Sequence, residues 1–108
     1  MSTRLLSGLA MVLILAAGAP ALAAAPASVS IDNFTFNPPV LTVRVGATVT
    51  WTNQDDVPHA LVADDKSFRS KVIDTDQSFS FTFAKPGEYS YFCSIHPHMT
   101  GKVVVKAL

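Results

Sequence analysis

Alternation of apolar and polar positions, with period two, runs through most of the chain. Val29, Ile31, Phe34 and Phe36 alternate roughly with polar neighbours, and Pro38-Pro39 breaks that run. Leu41, Val43 and Val45 alternate with Thr42 and Arg44, as in a half-buried strand. Gly46 then turns the chain, and Val49 and Trp51 alternate with Thr50 and Thr52 in the next strand. Asn53-Gln54-Asp55-Asp56 is polar loop chemistry. His59 to Ala63 is short and apolar, whereas Asp64 to Ser70 is polar and has no helical period. Ser78 to Phe83 alternates strictly, Lys85-Pro86-Gly87-Glu88 is a turn, and Tyr89–Cys93 and Gly101–Lys106 read as the last two strands. Turn signals recurring every ~8–12 residues predict an all-β domain, a sandwich or barrel. Paired acidic residues such as Asp55-Asp56 and Asp64-Asp65 read as polar turns rather than catalytic dyads.

The first 23 residues follow another pattern. Arg4 is a positive start, Leu5 to Ala17 is almost wholly apolar, and Pro20-Ala21-Leu22-Ala23 ends in small-x-small. This is the anatomy of a secretory signal peptide cleaved after Ala23. The apolar run is shorter than the ~20 residues that a membrane span needs, and no charged stop-transfer cluster follows it. Two segments are therefore expected: a signal peptide over 1–23 and one domain over 24–108, working in the periplasm or outside the cell. Without Arg4, seven Lys and Arg face eight Asp and Glu. The near-neutral balance and the lack of a basic run give nucleic acid no electrostatic footprint.

Export permits disulfides, yet Cys93 is the chain's single cysteine. An odd exported cysteine points to an intermolecular bridge, a reactive thiol or a metal ligand. Its surroundings favour the last. From Tyr91 the chain reads Tyr-Phe-Cys-Ser-Ile-His-Pro-His-Met-Thr-Gly-Lys, which spaces Cys93, His96 and Met99 as Cys-x-x-His-x-x-Met. Cys93 ends one strand and Met99 precedes the next, so one tight loop can aim a thiolate, an imidazole and a thioether at one point. His59, after Val57-Pro58, is the remaining candidate donor upstream. Taken singly, a buried cysteine is usually a small hydrophobe and a methionine is core filler. At this spacing between two strands the joint reading outweighs those. Two histidines, one thiolate and a thioether form the blue-copper donor set, whereas structural zinc sites prefer several cysteines. A binuclear copper centre would need a second cysteine.

With these residues in view, the chain resembles a cupredoxin, and within that family amicyanin and its plastocyanin and pseudoazurin relatives. The resemblance covers nearly all of residues 28–107. It rests on Val45-Gly46, Val49-Thr50-Trp51-Thr52-Asn53, Pro58-His59, Pro86-Gly87-Glu88-Tyr89, the Cys93–Met99 loop and Gly101-Lys102-Val103-Val104-Val105. It implies a Greek-key β-sandwich holding one copper ion, Cu(II)/Cu(I), near one end. His59, Cys93 and His96 would be equatorial ligands and Met99 the axial ligand. It further implies a monomer that exchanges single electrons with transient redox partners, such as a cytochrome c or a dehydrogenase. His96 would be the electron-transfer edge, within an apolar rim of Pro58, Ile95 and Pro97.

The chain departs from the family pattern at two positions. Ala60 stands where members often carry an Asn that ties the ligand loops together, although its backbone N–H can still reach the Cys93 sulfur. His98 stands where amicyanin has an aromatic residue, and it is expected to face solvent. A copper carrier using the same ligands is the alternative role. An enzyme is not expected: no Ser/His/Asp order and no glycine-rich phosphate loop appears. A metal-free adhesion sandwich is the remaining alternative.

Overall fold

Eight strands, in two four-stranded sheets, make up the computed structural model, which describes residues 24–108. The expected signal peptide over 1–23 lies outside the described residues. The strands are β1 (Ala27–Asp32), β2 (Thr35–Asn37), β3 (Val40–Arg44), β4 (Thr48–Asn53), β5 (Leu61–Ala63), β6 (Ser78–Thr82), β7 (Gly87–Cys93) and β8 (Thr100–Lys106). One sheet has the order β2-β1-β4-β6 and the other β3-β8-β7-β5. β1 runs parallel to β4 and β3 parallel to β8, while the remaining pairs are antiparallel. Every connection from β2 to β7 crosses between sheets, as in the expected Greek-key β-sandwich. Among the described residues no helix is long and apolar enough to cross a membrane.

The alternation read from the sequence decides which side chains face inward. Val29 and Ile31 of β1 and Val49 and Trp51 of β4 are buried, and they meet Leu61, Ala63, Tyr91, Val103 and Val105 from the other sheet. Side chains at i and i+2 share a face of a strand, so the polar positions of β4 and β6 fall together outside. There the hydroxyls pair across the strands: Thr48 with Thr82 and Thr50 with Ser80 at 2.7 Å, and Thr52 with Ser78 at 2.8 Å. Such cross-strand pairs fix register without taking core volume. Gly46 turns the chain between β3 and β4 with φ 93°, a conformation that a side chain would oppose.

Two stretches differ from the pattern. The run from Val29 to Phe36 is not one strand but a hairpin, β1 to β2, bent at Asn33 and Phe34 with φ 51° and 57°. Phe34 is consequently 49% exposed instead of lying in the core beside Phe36. The polar segment after β5 stays irregular, yet it contributes Phe68 and Ile73 to the core. Phe68 lies in an aromatic cluster with Trp51, Phe81, Phe83 and Tyr91.

Candidate metal centre

Strands β7 and β8 bring the Cys-x-x-His-x-x-Met segment into a closed loop. The N–H of Cys93, the last residue of β7, donates to the carbonyl of Met99 at 3.0 Å, and the N–H of Met99 donates to the carbonyl of His96 at 2.9 Å. These two bonds fix where the loop turns. A third bond, from the N–H of Ser94 to the carbonyl of Ala60 at 2.9 Å, ties it to the segment carrying His59. His59 precedes β5 and forms a two-way bridge with Ile73, with bonds of 3.1 and 2.7 Å. The expected short apolar strand is thus narrower than the sequence suggests, and His59 lies on the bridge leading into it.

Three donor atoms converge there. Sγ of Cys93 lies 3.7 Å from Nδ1 of His59 and 3.7 Å from Nδ1 of His96, and the two nitrogens are 3.3 Å apart. Among the described residues these three side chains form a group able to share one ion. The point equidistant from the three atoms is about 2.1 Å from each, close to the metal–imidazole distance of about 2.0–2.1 Å and slightly inside the metal–thiolate distance of about 2.3 Å known for zinc. The donors therefore fit a single first-row transition metal ion. Cys93 and His59 are fully buried and His96 is half-buried. Met99, buried as well, lies at the far end of the loop from Cys93. The N–H of Ala60 donates to the Cys93 sulfur at 3.4 Å. His98 is exposed and stands outside the donor group.

Two residues that the sequence did not single out as functional also reach the site. Phe34 presents its ring edge-on to both imidazoles, with centroids 5.7 Å from His59 and 5.1 Å from His96. Asp55 Oδ2 is 2.8 Å from Nε2 of His59. Burial alone would raise the Asp55 pKa, but bonds from the Phe34 N–H, His59 and the Asn33 N–H outweigh it and hold the carboxyl below the usual aspartate value. The i, i+4 spacing of Asp55 and His59 was the one available sequence signal, and in a loop that spacing carries little weight. Deeper in the sandwich, burial pushes the Tyr91 phenol up to about 12, and an approach from the Trp51 indole only partly offsets this.

A family model described as a cupredoxin-like domain matches residues 5–105 of the chain. Amicyanin from Paracoccus versutus is 35% identical over 83 residues, covering 72% of this chain and 63% of that protein. The chain thus spans a little under two thirds of that relative's length. Amicyanin-alpha from Methylorubrum extorquens is 38% identical over 101 residues, covering 85% of each. Among solved structures, a purple cupredoxin from Nitrosopumilus maritimus superposes with a TM-score of 0.71 at 35% identity, over 74% of this chain and 99% of that one.

Proposed function

The chain belongs to the cupredoxin-like family, and we propose that it holds one copper ion through His59, Cys93, His96 and Met99 and carries single electrons between redox proteins. The observation that supports this most is the triangle of His59 Nδ1, Cys93 Sγ and His96 Nδ1, sized for one ion. The methionine thioether in the same loop favours copper over zinc, because soft sulfur donors suit Cu(I) and a weak axial methionine characterises blue-copper sites. Copper supplies the one-electron couple.

The remaining work falls to the protein. Cys93, at the end of β7 and anchored to the Met99 carbonyl, presents its sulfur from a strand paired on both sides by β5 and β8. His59 is buried behind the site, so His96 is the ligand imidazole nearest solvent. Phe34, Pro58, Ile95 and Pro97 are exposed around it, an apolar rim suited to brief docking. Redox encounters use small interfaces, under ~1,200 Å², and no substrate cavity is needed.

Residues 1–23 are proposed to direct export, after which residues 24–108 act as a monomer in the periplasm or outside the cell. N-terminal sequencing of the protein recovered from that compartment should begin at Ala24.

A copper-carrier role uses the same ligands. It draws support from exposed His98, which shares a shallow depression with His96 and Met99. Electron self-exchange of the copper-loaded protein, measured by NMR line broadening, separates the two. Fast exchange supports the electron carrier, and negligible exchange with ready copper transfer to a chelator supports the metal carrier.

A further inference from the structure

Asp55 lies between two parts of the molecule that the sequence keeps far apart. Its Oδ1 accepts the Asn33 N–H at 2.6 Å, and its Oδ2 accepts the Phe34 N–H at 3.0 Å and faces His59 Nε2 at 2.8 Å. An ionised carboxylate only accepts hydrogen bonds, so Nε2 of His59 carries the hydrogen. In the neutral imidazole Nδ1 is then bare. Nδ1 is the atom aimed at Cys93 and His96. A carboxylate behind a ligating histidine fixes both its tautomer and its ring plane.

The same carboxylate shapes the hairpin turn. Asn33 and Phe34 both take left-handed backbone conformations, which a bulky residue such as phenylalanine rarely adopts without compensation. Both of their N–H groups end on Asp55. This turn carries the Phe34 ring out of the core and sets it edge-on to His59 and His96, with interplanar angles of 81° and 90°. Asp55 is itself immobilised: its N–H donates to Asn53 Oδ1 at 2.9 Å, and its carbonyl accepts the Thr75 hydroxyl at 2.7 Å.

We infer that Asp55 is a positioning residue of the metal centre, one carboxylate that holds His59 with Nδ1 bare and clamps the Phe34 ring across both imidazoles. The inference rests on the copper reading above. The clamp ties the segment carrying His59 to the β1–β2 hairpin, whose Phe34 ring meets both imidazoles. It differs from a mere turn cap, because a cap would affect stability and leave the imidazoles alone.

The test compares wild type with Asp55→Asn and Phe34→Leu. In Asp55→Asn either orientation of the amide sets an NH2 group against a backbone N–H of the turn, so the clamp opens while side-chain volume is kept. The first readout needs no copper: nitrogen–proton correlation spectra of the imidazoles in the metal-free protein. Wild type should show His59 as the Nε2–H tautomer, with contacts from the Phe34 ring to His96. Asp55→Asn should show mixed tautomers and lose those contacts, whereas Phe34→Leu should keep the His59 tautomer. The second readout is release of copper to a chelator, expected to be about tenfold or more faster in Asp55→Asn, in line with the 10–100-fold effects of outer-sphere partners on metal affinity.

A wild-type His59 protonated on Nδ1 overturns the inference whether or not any variant folds. So does an Asp55→Asn protein whose tautomer and copper release match wild type, however much its melting temperature falls. A wild type with the expected tautomer that binds no copper overturns the copper reading instead, and the metal-positioning role with it.

Discussion

Replacing Asn53 by alanine should be among the most damaging polar substitutions in the molecule. Asn53 ends β4 with a fully buried side chain. Its Nδ2 donates to the carbonyls of Val57 and Ile73, both at 2.9 Å, and its Oδ1 accepts the Asp55 N–H at 2.9 Å. Val57 lies two residues before His59, and Ile73 is the backbone partner of His59. One amide therefore holds the loop on both sides of His59. Each bond is worth about 0.5–1.5 kcal/mol net, and a buried group left unpaired costs about 1–3 kcal/mol. The Val57 and Asp55 groups are partly buried and can recover water, whereas the bond to Ile73 is buried. Taking ~1 kcal/mol for each of the first two and ~1–2 for the third gives a loss of roughly 3–4 kcal/mol. That is a large share of the ~5–15 kcal/mol by which a domain is stable. It corresponds to a fall in Tm of about 12–30 °C, at 4–8 °C per kcal/mol for a domain of this size. Urea unfolding of the metal-free protein measures it directly, with an unchanged slope showing that the unfolded state is not altered. A loss below ~1 kcal/mol would refute the claim that Asn53 organises the His59 loop.

Other substitutions and conditions test other parts of the account. In Gly101→Ala the added Cβ would overlap the buried phenol of Tyr91, and thermal melts should show the ~1–3 kcal/mol loss typical of overpacking. Tyr91 gives stability a limit on the alkaline side. Its phenol ionises near 10 in the unfolded chain and is pushed up to about 12 in the fold, so its contribution is whole below pH 10 and is lost between pH 10 and 12. Denaturation midpoints over that range should fall by the equivalent of roughly 2–3 kcal/mol, and Tyr91→Phe should flatten this dependence. Copper should stabilise the protein against unfolding by about 2.7 kcal/mol when free metal exceeds the dissociation constant a hundredfold, and a chelator should reverse the rise in Tm.

The all-β class was legible because each strand's pattern is local. The strict alternation of Ser78 to Thr82 needs only its own residues to show which side faces the core, and β6 and its hydroxyl ladder follow from it. Part of the loop from Cys93 to Met99 was legible for the same reason: Cys93 and His96 lie on one short turn between two strands, and their donor atoms stand 3.7 Å apart. His59 lies in a different segment, and its residue type, its place after Val57-Pro58 and the family resemblance pointed to it. The hairpin turn was not legible. Phe34 suits the alternation of a strand, and the carboxylate that bends the chain there is 21 residues away. Asn53 and Asp55 read as loop residues, because nothing local shows that the amide is buried or that the carboxylate reaches a histidine. Phe68 and Ile73 enter the core from an irregular segment whose composition is polar.

Copper binding through Cys93 is tested by adding one equivalent of Cu(II) to the metal-free protein and recording its visible spectrum beside that of Cys93→Ser. A copper ion held by Cys93 should give the wild type an intense thiolate-to-copper absorption, saturating at one copper per chain and absent from the variant. A colourless wild-type product, or a band that survives in Cys93→Ser, would contradict copper binding through Cys93.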